Sequence, residues 1–123
     1  MNHLMIDIET LDTRPTSIVF QVEIVVFDEV KNHYQEIFHL DILPQILAGR
    51  TIDSSTVKFW NEQQISAWTR SGPDIIQTEE VYRVINDLMG EYEIGYVWSN
   101  SPSIMRSLRE SLDIVWEFPS VDT

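Results

Sequence analysis

The sequence contains no cysteine, which excludes a disulfide framework, a thiolate nucleophile and any metal site built on cysteine ligands. No apolar run approaches the ~20 residues that a membrane span requires. The first residues show neither a basic segment nor a long apolar stretch, so we expect no signal peptide, no membrane association and a cytoplasmic location. A chain of 123 residues is large enough for one domain, residues 1–123, with a sizeable core.

Basic residues are also scarce. Eight lysines and arginines against twenty aspartates and glutamates give a net charge of −12 and a pI near 4.4. A protein that holds nucleic acid usually presents a basic surface, because neutralising phosphates supplies most of the affinity, and the sequence shows no such cluster. A solvated acidic surface that favours solubility is one explanation of the charge. The other is a surface that imitates nucleic acid or docks on a basic partner.

The most informative segment lies near the N-terminus, where Ile6 and Ile8 alternate with Asp7 and Glu9. This alternation predicts a buried strand that sends both carboxylates to one face. Two neighbouring carboxylates repel each other and need a cation, a proton or a hydrogen-bond donor to be tolerated. A pair of divalent metal ions is one such arrangement, and nucleases use it to hold the attacking and leaving oxygens of a phosphodiester.

The pattern along the chain predicts an α/β fold with a mixed sheet. Residues 3–9, 18–27 and 33–40 are dense in β-branched and aromatic residues and are predicted to form an antiparallel three-strand meander. Helices and one or two further strands follow, with residues 94–98 as a short buried strand and residues 114–118 as a last one. We expect the first strand to be central and to carry the carboxylates.

Capping residues and apolar spacing predict four helices. Asp41 is expected to cap a short helix that Gly49 ends, and Thr78 to cap a longer one that Gly90 ends. Between them, residues 53–56 offer caps for a helix with Val57, Trp60, Gln64 and Trp68 near one stripe, broken at residues 71–74. The turn at residues 99–102 leads into a helix whose apolar side carries Ile104, Leu108 and Leu112.

Four segments in chain order resemble the DnaQ-like, DEDD-type 3′–5′ exonucleases of the ribonuclease-H-like fold. Residues 5–11 match the D-x-E-T motif, and residues 19–28 are similar to the strand that follows it. Residues 56–63 resemble a T-x-x-W-W-x-x-Q helix, and residues 97–105 resemble a W-G-N-G-x-x-F-D segment. The last two are typical of the small phage and bacterial branch of 3′–5′ exoribonucleases. The match covers most of the chain.

The resemblance implies hydrolysis of terminal phosphodiesters with two Mg²⁺ or Mn²⁺ ions held by four acids. Asp7 and Glu9 occupy the first two acidic positions. The third falls on Met105, whose thioether is a poor ligand for hard cations, and Glu23 stands where the family has a small residue. The fourth acid and the general base belong to a C-terminal helix, so we expect this chain to be shortened relative to the family.

The matched segments also imply positions that contact a substrate or a partner, namely Thr10, Leu11, Trp60, Trp98 and Asn100. Exposed tryptophans stack bases in other proteins, although tryptophans at helical spacing are more often part of a core. The three histidines show no ligand spacing and are not assigned as a general base.

Two hypotheses of different class therefore stand. The first is a small exonuclease of phage or prophage origin, acting on RNA or DNA ends with Mg²⁺ or Mn²⁺. Its missing acids would come from Glu110 or Asp113, from a longer natural protein, or from a homodimer formed at the C-terminal edge around Trp116 and Phe118. The second is an inactive acidic binding protein without a cofactor. Its partner would be a basic nucleic-acid-binding host protein, such as a restriction or CRISPR effector of host defence.

Overall fold

A computed structural model of the chain describes residues 1–63 and 74–114. These residues form five strands and four helices in a mixed α/β arrangement. The strands are β1 (Asn2–Thr10), β2 (Val19–Phe27), β3 (Asn32–Leu40), β4 (Ile75–Ile76) and β5 (Ile94–Ser99). The helices are α1 (Leu43–Leu47), α2 (Ser54–Glu62), α3 (Thr78–Glu91) and α4 (Pro102–Ser111). None of the helices in these two ranges is long and apolar enough to cross a membrane.

The strands form one sheet in the order β4-β3-β2-β1-β5. The meander from β1 to β3 is antiparallel, as predicted, whereas β5 pairs with β1 in parallel and β4 pairs with β3 in parallel. Strand β1 is therefore an interior strand, flanked by β2 and β5, while β2 holds the middle position. The two-residue strand β4 was not predicted, because Ile75–Ile76 is too short to show an alternating pattern.

The sheet has two different faces. On the inner face, Leu4, Ile6 and Ile8 of β1 are buried together with the alternate residues Val22, Ile24 and Val26 of β2. Helices α3 and α4 complete this main core with the buried side chains Val81, Ile85, Leu88, Ile104, Met105 and Leu108. The opposite face, called the outer face below, carries His3, Met5, Asp7 and Glu9 of β1 and the residues in register with them on neighbouring strands.

A second, smaller core closes the end of the sheet where β1 stops. Leu11, Ile18 and Phe20 are buried there, and Val57 and Trp60 of α2 pack against them. Helix α2 begins where predicted, because the Asp53 carboxylate caps it by accepting hydrogen bonds from the backbone N–H groups of residues 55 and 56. The helical stripe expected to continue to Gln64 and Trp68 lies outside the described residues.

Two buried polar side chains join the helices and loops to the sheet. Gln45 of α1 bonds both backbone groups of Val19, accepting from its N–H and donating to its carbonyl, each at 2.8 Å. The guanidinium of Arg50 donates to the carbonyls of Pro15 and Ser17 and to the hydroxyls of Ser107 and Ser111. Burial removes water from the Arg50 cation and lowers its pKa. The five hydrogen bonds compensate for this loss of solvation.

Several predicted boundaries are wrong by one or two residues. The N-cap of α1 is Ile42, and the Asp41 carboxylate instead accepts from the Leu43 N–H at 3.1 Å in the preceding turn. The N-cap of α3 is Gln77, so Thr78 is its first residue. Capping preferences locate a helix start only approximately, since neighbouring polar residues compete for the same N–H groups.

The ends of α3 and β5 also differ from the prediction. Helix α3 continues through Gly90 to Glu91, because Gly90 keeps helical geometry and the chain leaves the helix at Tyr92. Strand β5 is half-exposed rather than buried, because it lies at one end of the sheet in the described part of the chain. Ile114 belongs to no strand, and residues 115–118 of the predicted last strand lie outside the described residues.

Candidate functional site

Asp7 and Glu9 lie on the outer face of β1. The intervening side chains Ile6 and Ile8 are buried in the main core, so the strand alternates as predicted. Partial burial raises the pKa of Glu9, and the neighbouring charge of Asp7 raises it further. The pair therefore behaves as two carboxylates that repel each other on a half-buried surface, which a bound cation would relieve.

A third carboxylate lies beside them. Glu23 of β2 is directly opposite Asp7 in the antiparallel register, and Gln21 is opposite Glu9. Directly opposed side chains on one face of a sheet are near neighbours, so Glu23 adds negative charge to the same surface. The Gln35 amide of β3 donates a hydrogen bond of 3.2 Å to Glu23.

Asn100 holds the backbone between the two acids. Its side-chain amide accepts from the Ile8 N–H and donates to the Ile8 carbonyl, both at 3.1 Å. These bonds extend the parallel pairing of β1 and β5 past the last paired strand residues, Ile6 and Ser99. Asn100 thus positions the strand segment that carries Asp7 and Glu9, a role that sequence spacing does not reveal because the partners are 92 residues apart.

The residues after the acid pair are held by packing and hydrogen bonds. Leu11 is buried in the smaller core, and the Thr10 hydroxyl donates to the Asp12 carbonyl at 2.7 Å. The Trp60 indole N–H donates to the Thr10 carbonyl at 2.8 Å, and its ring meets Phe20 edge-on at 5.4 Å. In this structure Trp60 therefore connects α2 to the end of β1 through a hydrogen bond and ring packing.

Trp98 lies on the outer face of β5 and is 43% exposed. Its indole N–H donates to His3 Nδ1 at 3.1 Å. His3 stacks between Phe27 and Tyr96, with ring centroids 5.1 and 5.6 Å away. The four rings form a cluster on the same face as Asp7 and Glu9, which brings Trp98 to the acid pair's side of the sheet.

Met105 lies away from this surface. Its side chain is 7% exposed and belongs to the same hydrophobic cluster as Ile6 and Ile8, on the inner face. The Met105 carbonyl also accepts a hydrogen bond of 2.5 Å from the buried Tyr82 hydroxyl. The position that the resemblance equates with the third acid is therefore part of the main core in this chain.

The described residues contain no group of three or more histidine, aspartate or glutamate side chains that could hold a metal ion. Glu110 and Asp113 therefore do not join Asp7 and Glu9 in such a group. Glu110 is exposed beside Arg109, and Asp113 lines a cavity of about 420 Å³ next to α3. The apolar edge proposed around Trp116 and Phe118 lies outside the residues that the structure describes.

A pair of carboxylates is better suited to binding one hard divalent cation than to binding two such cations. Mg²⁺ keeps several waters and is commonly bound through one or two carboxylates together with substrate phosphates. Asp7 and Glu9 fit that requirement for a single Mg²⁺ or Mn²⁺ ion. They do not form the four-acid arrangement of a two-ion site.

One buried acid, Asp12, is not among the site residues that the sequence predicts. Asp12 is 2% exposed, and its carboxylate accepts from the Thr13 N–H, the Arg14 guanidinium and the Thr51 hydroxyl. Burial alone would raise its pKa, but these hydrogen bonds together lower it below the usual range. The sequence around it shows only a run of turn-forming residues, so Asp12 is a structural acid that orders the loop after β1.

An acid pair on an interior strand of a mixed sheet, with helices on the inner face, is an arrangement consistent with α/β nuclease-like proteins. The sequence profile of the 3′-5′ exoribonuclease Rv2179c-like domain matches residues 2–122. The chain belongs to this family. No curated protein sequence matches it significantly. The expected relationship to 3′–5′ exoribonucleases is thereby confirmed at the level of the family.

Proposed function

We propose that this protein is a metal-dependent 3′–5′ exonuclease of the DEDD type and the ribonuclease-H-like fold, acting on RNA ends with low activity. The observation that carries the proposal is the placement of Asp7 and Glu9 on one face of an interior strand. Asn100 holds the strand segment between them, and the family match supports the substrate class. The proposal includes a phage or prophage origin, because the sequence resembles the small phage and bacterial branch of these exoribonucleases.

In this proposal Asp7 and Glu9 hold one Mg²⁺ or Mn²⁺ ion. When bound, the ion would supply charge stabilisation for the phosphodiester that is cut. The carboxylates themselves bind and orient, and the hydrogen bonds of Asn100 keep their backbone spacing. Activity is low because position 105 supplies a buried thioether in place of an acid, so charge that develops on the phosphate is only partly compensated.

The test is hydrolysis of a 5′-labelled single-stranded RNA with a free 3′ end, in Mn²⁺ and in Mg²⁺. We expect shortening from the 3′ end that is lost in Asp7→Asn and in Glu9→Gln. Glu36→Gln is the matched control, because Glu36 is an exposed acid of β3 outside the acid pair and should keep full activity. A wild-type protein that gives no Asp7-dependent product would reject the proposal.

A second function is favoured by a separate observation, the burial of Met105 together with the net charge of −12. In this case the fold serves as an acidic binding protein that blocks a basic, nucleic-acid-handling protein of the host, such as a restriction or CRISPR effector. Retention of such a protein from host lysate by the wild type and equally by Asp7→Asn would support it. Binding that requires Asp7 and Mn²⁺ would favour the enzyme instead.

A further inference from the structure

Exposed aromatic rings and carboxylates share the outer face of the sheet. Tyr96 and Trp98 of β5 are 51% and 43% exposed, with ring centroids 6.3 Å apart. His3 and Phe27 support them from β1 and β2 by stacking. We use the name aromatic–acidic face for the surface formed by His3, Phe27, Tyr96, Trp98, Asp7, Glu9 and Glu23.

The sheet register places the rings and the acids side by side. Trp98 is in register with Met5 of β1, and Met5 is in register with Val25 of β2. The next row on the same face holds Asp7 and Glu23. Rows of one face are about 7 Å apart along a strand, so the carboxylates begin one row from the Trp98 ring.

The charge of this face favours a cation. None of the five strands that the structure describes contains a lysine or an arginine, whereas the aromatic–acidic face contains three carboxylates. Without a metal ion at Asp7 and Glu9, a phosphate backbone would meet these charges with no lysine or arginine from the sheet to neutralise it. A guanidinium or an ammonium group would instead be attracted by the carboxylates and by the electron-rich faces of the two exposed rings.

The position of β5 favours an extended ligand. Among the described residues β5 is an edge strand of the sheet. The backbone N–H and C=O groups along the open side of an edge strand can pair with an added strand. Tyr96 and Trp98 are two residues apart and point to the same face. Alternate side chains of an added extended segment repeat with the same spacing, so two basic residues at positions i and i+2 would lie beside the two rings.

We propose that the aromatic–acidic face binds an extended, arginine-containing segment of a partner protein. Its guanidinium groups stack on Tyr96 and Trp98, and the row of Asp7 and Glu23 attracts them electrostatically. Arginine suits this face better than lysine because its planar group both stacks on aromatic rings and pairs with carboxylates. The binding requires neither hydrolysis nor a metal ion, so it is independent of the exonuclease activity proposed above. It rests on the second proposed function, the acidic binding protein, and names the surface that would bind the basic partner.

The test uses the full chain in buffer with EDTA and a fluorescent peptide in which arginine alternates with threonine. A peptide with glutamate in place of arginine is the ligand control. We expect the arginine peptide to bind and the glutamate peptide not to bind. Replacing both rings, Tyr96→Ala with Trp98→Ala, should weaken binding at least about tenfold, and Glu23→Gln should weaken it about two- to fivefold.

The matched control is Phe59→Ala, which removes an exposed ring of α2 outside this face and should leave the affinity unchanged. Tyr96→Lys provides a single substitution at a half-exposed position that places a positive charge against the peptide, and it should weaken binding at least as much as the double variant. The proposal therefore stays testable if the double variant fails to fold, as circular dichroism would show.

Three results would overturn the proposal. Binding of the arginine peptide that Tyr96→Lys and the double variant leave unchanged would place its site elsewhere. Single-stranded RNA that binds with the same dependence on Tyr96 and Trp98, and displaces the peptide, would make the face a base-stacking surface. A dimer in sedimentation that dissociates in Tyr96→Lys would identify a second copy of this chain as the occupant.

Discussion

At the scale of single residues, the chemistry of the site depends on which face of the sheet each side chain occupies. Asp7 and Glu9 lie on the outer face, where Glu9 is half-buried and carries a raised pKa. Met105 lies in the main core, packed in the same cluster as Ile6 and Ile8. A substitution that restores an acid at position 105 would therefore not by itself bring that acid to the pair.

The Met105→Asp variant tests this arrangement. A carboxylate at a 7% exposed core position has no partner, so we expect a loss of at least about 3 kcal/mol in the free energy of unfolding and no gain in RNA hydrolysis. The matched control Met105→Leu should cost less than about 1.5 kcal/mol. Urea unfolding followed by circular dichroism measures both. A stable Met105→Asp protein with higher Mn²⁺-dependent activity would show that the residue faces the acid pair.

Asp12 determines a pH dependence of stability. Its pKa is lower in the folded protein than the ordinary value of 3.8, so its contribution to stability is present above pH 3.8 and is lost as the pH falls through the folded value. We expect Asp12→Asn to be less stable at pH 7 and to lose less stability than the wild type between pH 4 and pH 2. The measurement is urea unfolding across that range.

Asp87→Asn is the control for this experiment, because Asp87 is an exposed aspartate of α3. Its pH profile should parallel that of the wild type. Identical slopes for Asp12→Asn and the wild type below pH 4 would contradict the role assigned to the hydrogen bonds of Asp12.

At the scale of elements, a side chain continues the pairing of two strands. The amide of Asn100 bonds both backbone groups of Ile8, where β5 has already ended. Loss of these bonds would leave both backbone groups of Ile8 without these partners, which lowers the stability of the junction. The same element boundary positions Asp7 and Glu9, so the stability of the junction and the geometry of the site are coupled.

Asn100→Ala removes both hydrogen bonds and leaves two backbone groups of Ile8 without these partners. We expect a loss of about 1–3 kcal/mol in the free energy of unfolding, together with faster amide exchange at Ile8. Asn61→Ala is the matched control, since Asn61 is an exposed residue of α2 and should change stability by less than about 0.5 kcal/mol. Equal effects of the two substitutions in denaturant unfolding would rule out a structural role for the amide.

At the scale of the whole molecule, the net charge of −12 acts on both stability and binding. Like charges repel each other more in the compact state than in the unfolded chain, and salt screens that repulsion. The same screening weakens attraction between the aromatic–acidic face and a basic segment. Salt therefore has opposite expected effects on folding and on partner binding.

Raising NaCl from about 0.02 M to 0.5 M should increase Tm by several degrees, because it reduces the Debye length from more than 20 Å to about 4–5 Å. Differential scanning calorimetry at pH 7 measures the change. Sodium fluoride at the same ionic strength serves as the control for specific chloride binding and should give a similar shift. A Tm that is constant or falls with salt would show that attractive ion pairs outweigh the net repulsion.

Much of the fold was predictable because its signals are local. The alternation in β1, the meander of three strands and the Asp53 cap of α2 each arise from residues a few positions apart. Strand β4 was missed because two residues carry no periodicity. The exposure of β5 was predicted wrongly, because a mostly apolar segment gives the same sequence pattern in an interior strand and in an edge strand.

The sequence alone determined that Asp7 and Glu9 share one face of a strand, because side chains of an extended chain alternate whatever surrounds them. It also determined the acidic net charge and the family. Only the tertiary structure decided that Met105 lies in the core, that Asn100 bonds Ile8, and that exposed rings of β5 lie beside the carboxylates. Those facts depend on which distant segments become neighbours, and burial and hydrogen bonding across the sheet are set by that arrangement.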